Sequence, residues 1–125
     1  MRIHLDQGEN QNIIRHYGPG SVTVRETVLQ RSLIVLPDRL ISDWPPQALN
    51  ELTSDHLAIL TTLDREVVIL GTGQKLIFPP ARVLALLYQA GIGVEVMDTG
   101  AACRTYNILM GEGRRVAAAL LMIEG

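Results

Sequence analysis

A chain of 125 residues is long enough for one hydrophobic core and short for more than one domain. Hydrophobic residues make up 47% of the chain and charged residues 19%, which excludes a disordered composition. The net charge of −2 shows no excess of basic residues that would bind a phosphate backbone, so we expect no nucleic-acid partner.

Cysteine content and the apolar runs indicate a soluble protein. The single cysteine, Cys103, excludes an internal disulfide or a cysteine-rich zinc site and suits a reducing compartment. Residues 1–12 lack the apolar core of a signal peptide, and the longest apolar runs, such as residues 116–123, are too short to span a membrane. We therefore expect a cytoplasmic protein with a flexible leader at 1–12 and a single α/β domain at 13–125.

The first half of the chain has the pattern of short strands joined by turns. Gly18-Pro19-Gly20 predicts the first turn, and the prolines at 45 and 46 end the last strand because neither can donate to a ladder. This pattern favours an antiparallel meander. Strands are predicted at residues 13–17, 21–25 with a continuation over 26–30, 32–36 and 40–44.

The second half alternates strands and helices. Thr53 or Ser54 is the predicted N-cap of a short helix that ends near Thr62. Two strands joined by a crossover helix then form a βαβ unit, whose strands must be parallel. The final apolar segment suits a buried central strand or a buried helix, and we favour the strand because glycines flank it. The predicted elements are strand 67–70, helix 81–89, strand 94–97, helix 101–110 and strand 114–123, which together predict a mixed sheet with packed helices.

The turn Gly71-Thr72-Gly73 follows the first strand of the βαβ unit, at the sheet edge where α/β folds place their ligands. Glycines there allow a sharp turn and the close approach of a ligand to the backbone. The turn is not a dinucleotide fingerprint, because Leu76 stands where a third glycine is required. A plain turn and a ligand-binding turn both fit the pattern.

Asp98 and Thr99 end the second parallel strand just before a helix. Either side chain can cap that helix by accepting a hydrogen bond from a free backbone N–H. The remaining free N–H groups could instead bind an anion, provided that Arg104 offsets the negative charge of Asp98. We lean towards capping.

Three more residues of the last helix are site candidates. Cys103 lies near the helix start, where a thiolate is stabilised, but no histidine is close to it in sequence, so packing and nucleophilic roles both remain. Arg104 and Asn107 share one face of the helix, which is either an ordinary solvated face or the lining of a polar site. The three histidines lack metal-ligand spacing, so no metal is predicted.

Four motifs together are typical of a known family. They are Leu70-Gly-Thr-Gly, Phe78-Pro-Pro, Gly91-Ile-Gly-Val-Glu-Val-Met-Asp-Thr and Ala102-Cys-Arg-Thr-Tyr-Asn107. With these motifs, the chain resembles the small domain family of unknown biochemical function that includes mitochondrial complex I assembly factor 3 and the adipogenesis-associated domain protein. The resemblance is specific over about residues 66–120 and looser from Ile13, and the lack of a mitochondrial targeting leader makes the bacterial members the closer comparison.

The resemblance implies a three-layer α/β fold with a mixed central β-sheet, preceded here by the short antiparallel strand meander. It implies no established enzymatic activity and no cofactor, and its mitochondrial members assemble proteins near a membrane. The motif positions that it carries over are Gly71, Thr72, Gly73, Asp98, Thr99, Thr105, Tyr106 and Asn107.

Two functions follow as hypotheses. The first is a non-enzymatic protein-interaction or assembly-factor-like module, peripheral to membrane-protein assembly, with a protein partner. The second is a protein that binds a small anion, or an enzyme, with a crevice at the carboxyl-terminal ends of the parallel strands. The candidate crevice consists of Gly71, Thr72, Gly73, Asp98, Thr99, Cys103, Arg104 and Asn107.

Overall fold

The computed structural model describes residues 11–124, so most of the predicted leader lies outside the described residues. The last residue of that leader, Asn12, is bonded to the fold. Its backbone N–H donates to the Pro37 carbonyl oxygen at 2.8 Å, and its side-chain amide donates to the Leu36 carbonyl oxygen at 3.0 Å.

Within the described residues, eight strands form two sheets, and three α-helices join or cover them. The small sheet consists of β1 (Ile14–Gly18), β2 (Ser21–Val24) and β3 (Thr27–Leu29), all antiparallel. The large sheet consists of β4 (Leu33–Leu36), β5 (Arg39–Ile41), β6 (Val67–Gly71), β7 (Gly93–Met97) and β8 (Val116–Leu120). The helices are α1 (Ser54–Leu57), α2 (Ala81–Gln89) and α3 (Thr99–Gly111).

The large sheet is mixed, as predicted, with the strand order β5-β4-β8-β6-β7. Strand β6 is parallel to both β7 and β8, whereas β4 is antiparallel to β5 and β8. The final apolar segment is the central strand β8, and all five of its residues are buried. A strand covered on both faces has no polar side to display, which explains its uninterrupted apolar sequence.

Helices and the small sheet cover the two faces of the large sheet, giving the expected three layers. On one face, α2 buries Val83, Leu84 and Leu87 against alternate residues of β4, β6 and β8. On the other face, α3 and the first two strands pack against the remaining alternate residues. Residues that alternate along each strand therefore belong to two separate cores.

The structure corrects the boundaries of several predicted elements, and the strand predicted at 114–123 is limited to Val116–Leu120. Residues 26–30 do not continue β2, because the chain turns at Arg25 (φ 56°) and returns as β3. The strand predicted at 40–44 is limited to β5, and Trp44 beyond it donates from Nε1 to the His56 carbonyl oxygen at 3.0 Å. The helix predicted from residue 53 to 62 is α1 followed by a 3-10 helix over Ala58–Thr62.

The predicted meander is also divided between the sheets. Strands β1–β3 form the small sheet, but β4 and β5 join the large one, where β4 pairs with β8. This pairing joins residues more than 80 positions apart, for example Leu33 with Leu120. Local turn signals cannot indicate such a pairing.

Candidate functional site

An open cleft of about 310 Å³ lies beside the carboxyl-terminal ends of β6 and β8 in the large sheet. One wall comes from the loop after β6 and the other from the segment before α1, which the sequence did not indicate. Gly73 adopts a φ of 101°, a conformation that favours glycine and lets the loop turn beside the cleft. Lining residues include Gln47, Leu49, Thr72, Gly73, Lys75 and Ile77.

Behind this cleft, Thr99 joins the ends of three strands. Its hydroxyl donates to the Leu121 carbonyl oxygen at 2.6 Å and accepts from the Gly73 N–H at 2.8 Å. Thr99 is completely buried, so both bonds are shielded from water. A Cβ at Gly71 would lie 2.9 Å from the Thr99 hydroxyl oxygen, which explains a glycine there by close packing. Gly71 and Thr99 therefore have a structural role, which is to hold these strand ends together.

Asp98 caps α3, because its Oδ1 accepts the Ala101 N–H at 2.9 Å. Arg104 does not pair with Asp98 among the ion pairs of the described residues. Its guanidinium instead donates to the Tyr17 hydroxyl and lies 5.9 Å from the centre of the Tyr17 ring. The hydrogen bond to Tyr17 raises the pKa of Arg104 above its ordinary value. The partnership on which the predicted anion site depended is therefore replaced by a contact with β1.

Asn107 also binds β1. Its side-chain oxygen accepts the Ile14 N–H at 2.9 Å, and its side-chain nitrogen donates to the Ile14 carbonyl oxygen at 2.8 Å. The neighbouring Tyr106 donates its hydroxyl to the Asn12 carbonyl oxygen at 2.7 Å. Burial raises the pKa of Tyr106, which keeps this phenol protonated. Polar groups of α3 thus hold the amino-terminal strand against the large sheet.

Cys103 lies on the buried face of α3, in the core, and has no exposed surface. Burial raises the pKa of its thiol to about 12, which opposes thiolate formation at neutral pH. His16 lies in β1, and His56 accepts the Thr53 N–H at 3.1 Å, whereas His4 is outside the described residues. Within residues 11–124, no hydrogen bond joins Cys103 to a histidine.

The loop between β6 and α2 exposes three consecutive large apolar side chains. Leu76 is 50% exposed, Ile77 is 51% exposed and Phe78 is 69% exposed. Thr72 orders the start of this loop, since its hydroxyl donates to the Lys75 carbonyl oxygen and accepts the Ile77 N–H. The sequence signal for this segment is an apolar run between a glycine turn and two prolines, and only the fold reveals that the run is exposed.

A second cleft, of about 530 Å³, lies at the other end of these strands, beside the amino-terminal ends of β6 and β8. Its lining includes Arg65, Arg114 and Arg115. Arg114 and Arg115 form ion pairs with Glu66 and Asp64, at 3.3 and 2.9 Å respectively.

Among the described residues, no three His, Cys, Asp or Glu side chains are grouped to hold a metal ion. No helix of residues 11–124 is long and apolar enough to cross a membrane.

A family model described as a protein of unknown function, DUF498/DUF598, matches residues 14–121. The chain belongs to this family. It is 36% identical over 124 residues to NADH dehydrogenase (ubiquinone) 1 alpha subcomplex assembly factor 3 of Rattus norvegicus, covering 96% of this chain and 66% of that protein. It is 30% identical over 73 residues to the 13 kDa major membrane protein of Francisella tularensis subsp. holarctica, covering 58% of this chain and 59% of that protein.

Solved structures of similar proteins have the same fold. A Bordetella parapertussis protein matches with a TM-score of 0.84 and 37% identity, covering 90% of this chain and 96% of that one. A Mth938-like domain from Bordetella pertussis matches with a TM-score of 0.80 and 32% identity, covering 90% and 87%. These matches confirm the family resemblance and the α/β fold. The chain spans less than two thirds of the length of the two curated relatives above.

Proposed function

We propose that this DUF498/DUF598 domain is a non-enzymatic, assembly-factor-like module that binds a partner protein through the exposed segment Leu76–Phe78. The observation that carries this proposal is the exposure of three adjacent large apolar side chains, between 50% and 69%. The relatives named as assembly factors support the same kind of activity. We place the module in the cytoplasm, at the periphery of membrane-protein assembly.

The segment is suited to binding because its apolar surface is available and its backbone is restrained. Burying one such side chain stabilises a contact by roughly 1.5–3 kcal/mol at full burial. The Thr72 hydroxyl holds one end of the loop, and Pro79-Pro80 restricts the other. A restrained loop loses less conformational entropy on binding than a free one. Ile77 also lines the cleft, which gives the segment an adjoining groove.

The candidate reactive groups are engaged in the scaffold, which favours an interaction role over catalysis. Asp98 caps a helix, Arg104 contacts Tyr17, and Cys103 is buried with its pKa raised to about 12.

The alternative function is binding of a small anion in the cleft of about 310 Å³, where Lys75 is a lining cation. Thermal-shift screening with phosphates and carboxylates tests it, since saturation at 100 times the Kd stabilises the native state by about 2.7 kcal/mol.

Affinity capture with matched variants tests the interaction proposal. The bait is the full chain, either wild type, Phe78→Ser or Ile108→Ser; Ile108 is 61% exposed on α3 and serves as the control. We expect a defined protein to be enriched by wild type and Ile108→Ser, and to be reduced about tenfold or more by Phe78→Ser. Equal capture by all three baits would contradict a role for the segment. No enrichment by wild type over an empty support would contradict the interaction function.

A further inference from the structure

Strand β7 is the outer strand of the large sheet, and no described strand pairs with its far side. The direction of its backbone groups follows from its pairing with β6. Gly93 donates its N–H to the Glu66 carbonyl oxygen, and the Met97 carbonyl oxygen accepts the Thr72 N–H. Because backbone groups alternate along a strand, Gly93, Glu95 and Met97 face β6, whereas Val94 and Val96 face outward.

The outward edge therefore offers four backbone groups in a row, an N–H and a C=O from each of Val94 and Val96. No hydrogen bond among the described residues uses these groups, and the two valine side chains pack on the α2 side. The valines hold the strand in position without covering its edge. An extended peptide that pairs with such an edge gains main-chain hydrogen bonds, and side chains next to the edge set its specificity.

Glu95 supplies that specificity. It lies at the centre of β7, is exposed, and projects to the face opposite Val94 and Val96. None of the ion pairs among the described residues includes Glu95. A cation directly across the edge would therefore gain an anionic neighbour that has no competing partner.

The same charge opposes pairing with a second copy of the chain. In the two-fold antiparallel register centred on β7, Val94 would lie opposite Val96 of the second copy, and the two Glu95 side chains would face each other. Like charges directly opposite in a sheet are destabilising. Charged residues on edge strands commonly prevent this self-association.

We infer that β7 is a docking edge for an extended segment of a partner protein, aligned antiparallel to β7, with a lysine or arginine opposite Glu95. This inference rests on the proposed interaction function only in taking the occupant of the edge to be a protein. The edge is separate from the Leu76–Phe78 segment, so experiments can contradict one binding surface without contradicting the other.

Synthetic peptides test the edge directly. The probe is a seven-residue peptide of alternating threonine and valine with a central lysine, and the matched control has a central glutamate. Binding to the isotope-labelled full chain is followed by NMR titration and by hydrogen exchange at the amides of Val94 and Val96. We expect the lysine peptide to slow exchange at these two amides and to bind about three- to tenfold more tightly than the glutamate peptide.

Two further variants separate charge from backbone pairing. Glu95→Lys should reverse the preference, so that the glutamate peptide binds more tightly. N-methylation of the peptide residues that flank the lysine should abolish binding, because their N–H groups face β7. Phe78→Ser should bind the lysine peptide like wild type, which separates this test from that of the apolar segment.

Other outcomes overturn the inference. Unchanged exchange at Val94 and Val96 at saturating lysine peptide would show that the edge does not accept a strand. Equal affinity for both peptides, or an unaltered preference in Glu95→Lys, would remove Glu95 as the selecting charge. Protection of the two valine amides by the protein alone, increasing with protein concentration, would identify a second copy as the occupant and refute the proposed partner.

Discussion

Replacing Thr99 by valine tests whether hydrogen bonds or packing hold the strand ends together. Valine preserves the shape of the side chain but removes the hydroxyl that joins the Gly73 N–H to the Leu121 carbonyl oxygen. Both backbone groups would lose this partner next to a completely buried side chain. A buried polar group left without a partner costs about 1–3 kcal/mol, so for two such groups we expect Thr99→Val to lower the free energy of unfolding by about 2–6 kcal/mol.

Thr99→Ser is the matched comparison, because it keeps the hydroxyl and removes one buried methyl group. The expected cost is about 1 kcal/mol. Thr105→Val is the control for placing valine in α3, since the half-buried Thr105 makes no side-chain hydrogen bond among those of the described residues. Its expected effect lies within about 0.5 kcal/mol.

Urea unfolding monitored by circular dichroism measures these differences. With a slope of about 2 kcal/mol per molar urea, Thr99→Val should shift the midpoint downward by about 1–3 M. Total stabilities of about 5–15 kcal/mol exceed most of this range, so we expect the variant to keep a measurable unfolding transition. If Thr99→Val is as stable as Thr99→Ser or more stable, the hydrogen bonds of the Thr99 hydroxyl do not hold the strand ends together, which contradicts the prediction.

Three further predictions concern Asp98, Cys103 and Glu66. Asp98→Asn should match wild type in unfolding stability, whereas Asp98→Ala should lose about 0.5–2 kcal/mol; a large loss in the asparagine variant would contradict a capping role. Cys103 should react with a thiol reagent at pH 8 much more slowly in the native protein than in urea, because it is buried with its pKa raised to about 12; equal rates would place it at the surface. Hydrogen bonds from the Arg115 N–H and the Arg114 side chain lower the pKa of Glu66 below its ordinary 4.5, so wild type should exceed Glu66→Gln in stability at pH 7 and lose this advantage as acid protonates Glu66; a difference independent of pH would contradict the assignment.

The sequence alone indicated the features that depend on neighbouring residues. Glycine turns, the alternation of strand residues and the helical repeat located the βαβ unit, and α2 was predicted with its observed bounds. Asp98 was recognised as one of two possible caps because capping involves residues only three positions apart. The uninterrupted apolar run near the carboxyl terminus indicated the central strand, because a strand buried on both faces needs no polar residues.

Tertiary packing decided what the polar candidates contact. Arg104 and Asn107 have the same spacing in a solvated helix face as in a site lining, and the fold gives them a different role, binding β1 about 90 residues earlier. Of the predicted crevice, Thr72 and Gly73 line the cleft, whereas Thr99 and Cys103 are buried behind it or in the core. Side-chain periodicity records which face of an element is buried, but not which distant strand covers that face. The partners of Asn107, the division of strands between two sheets and the exposure of Leu76–Phe78 therefore follow only from the packed chain.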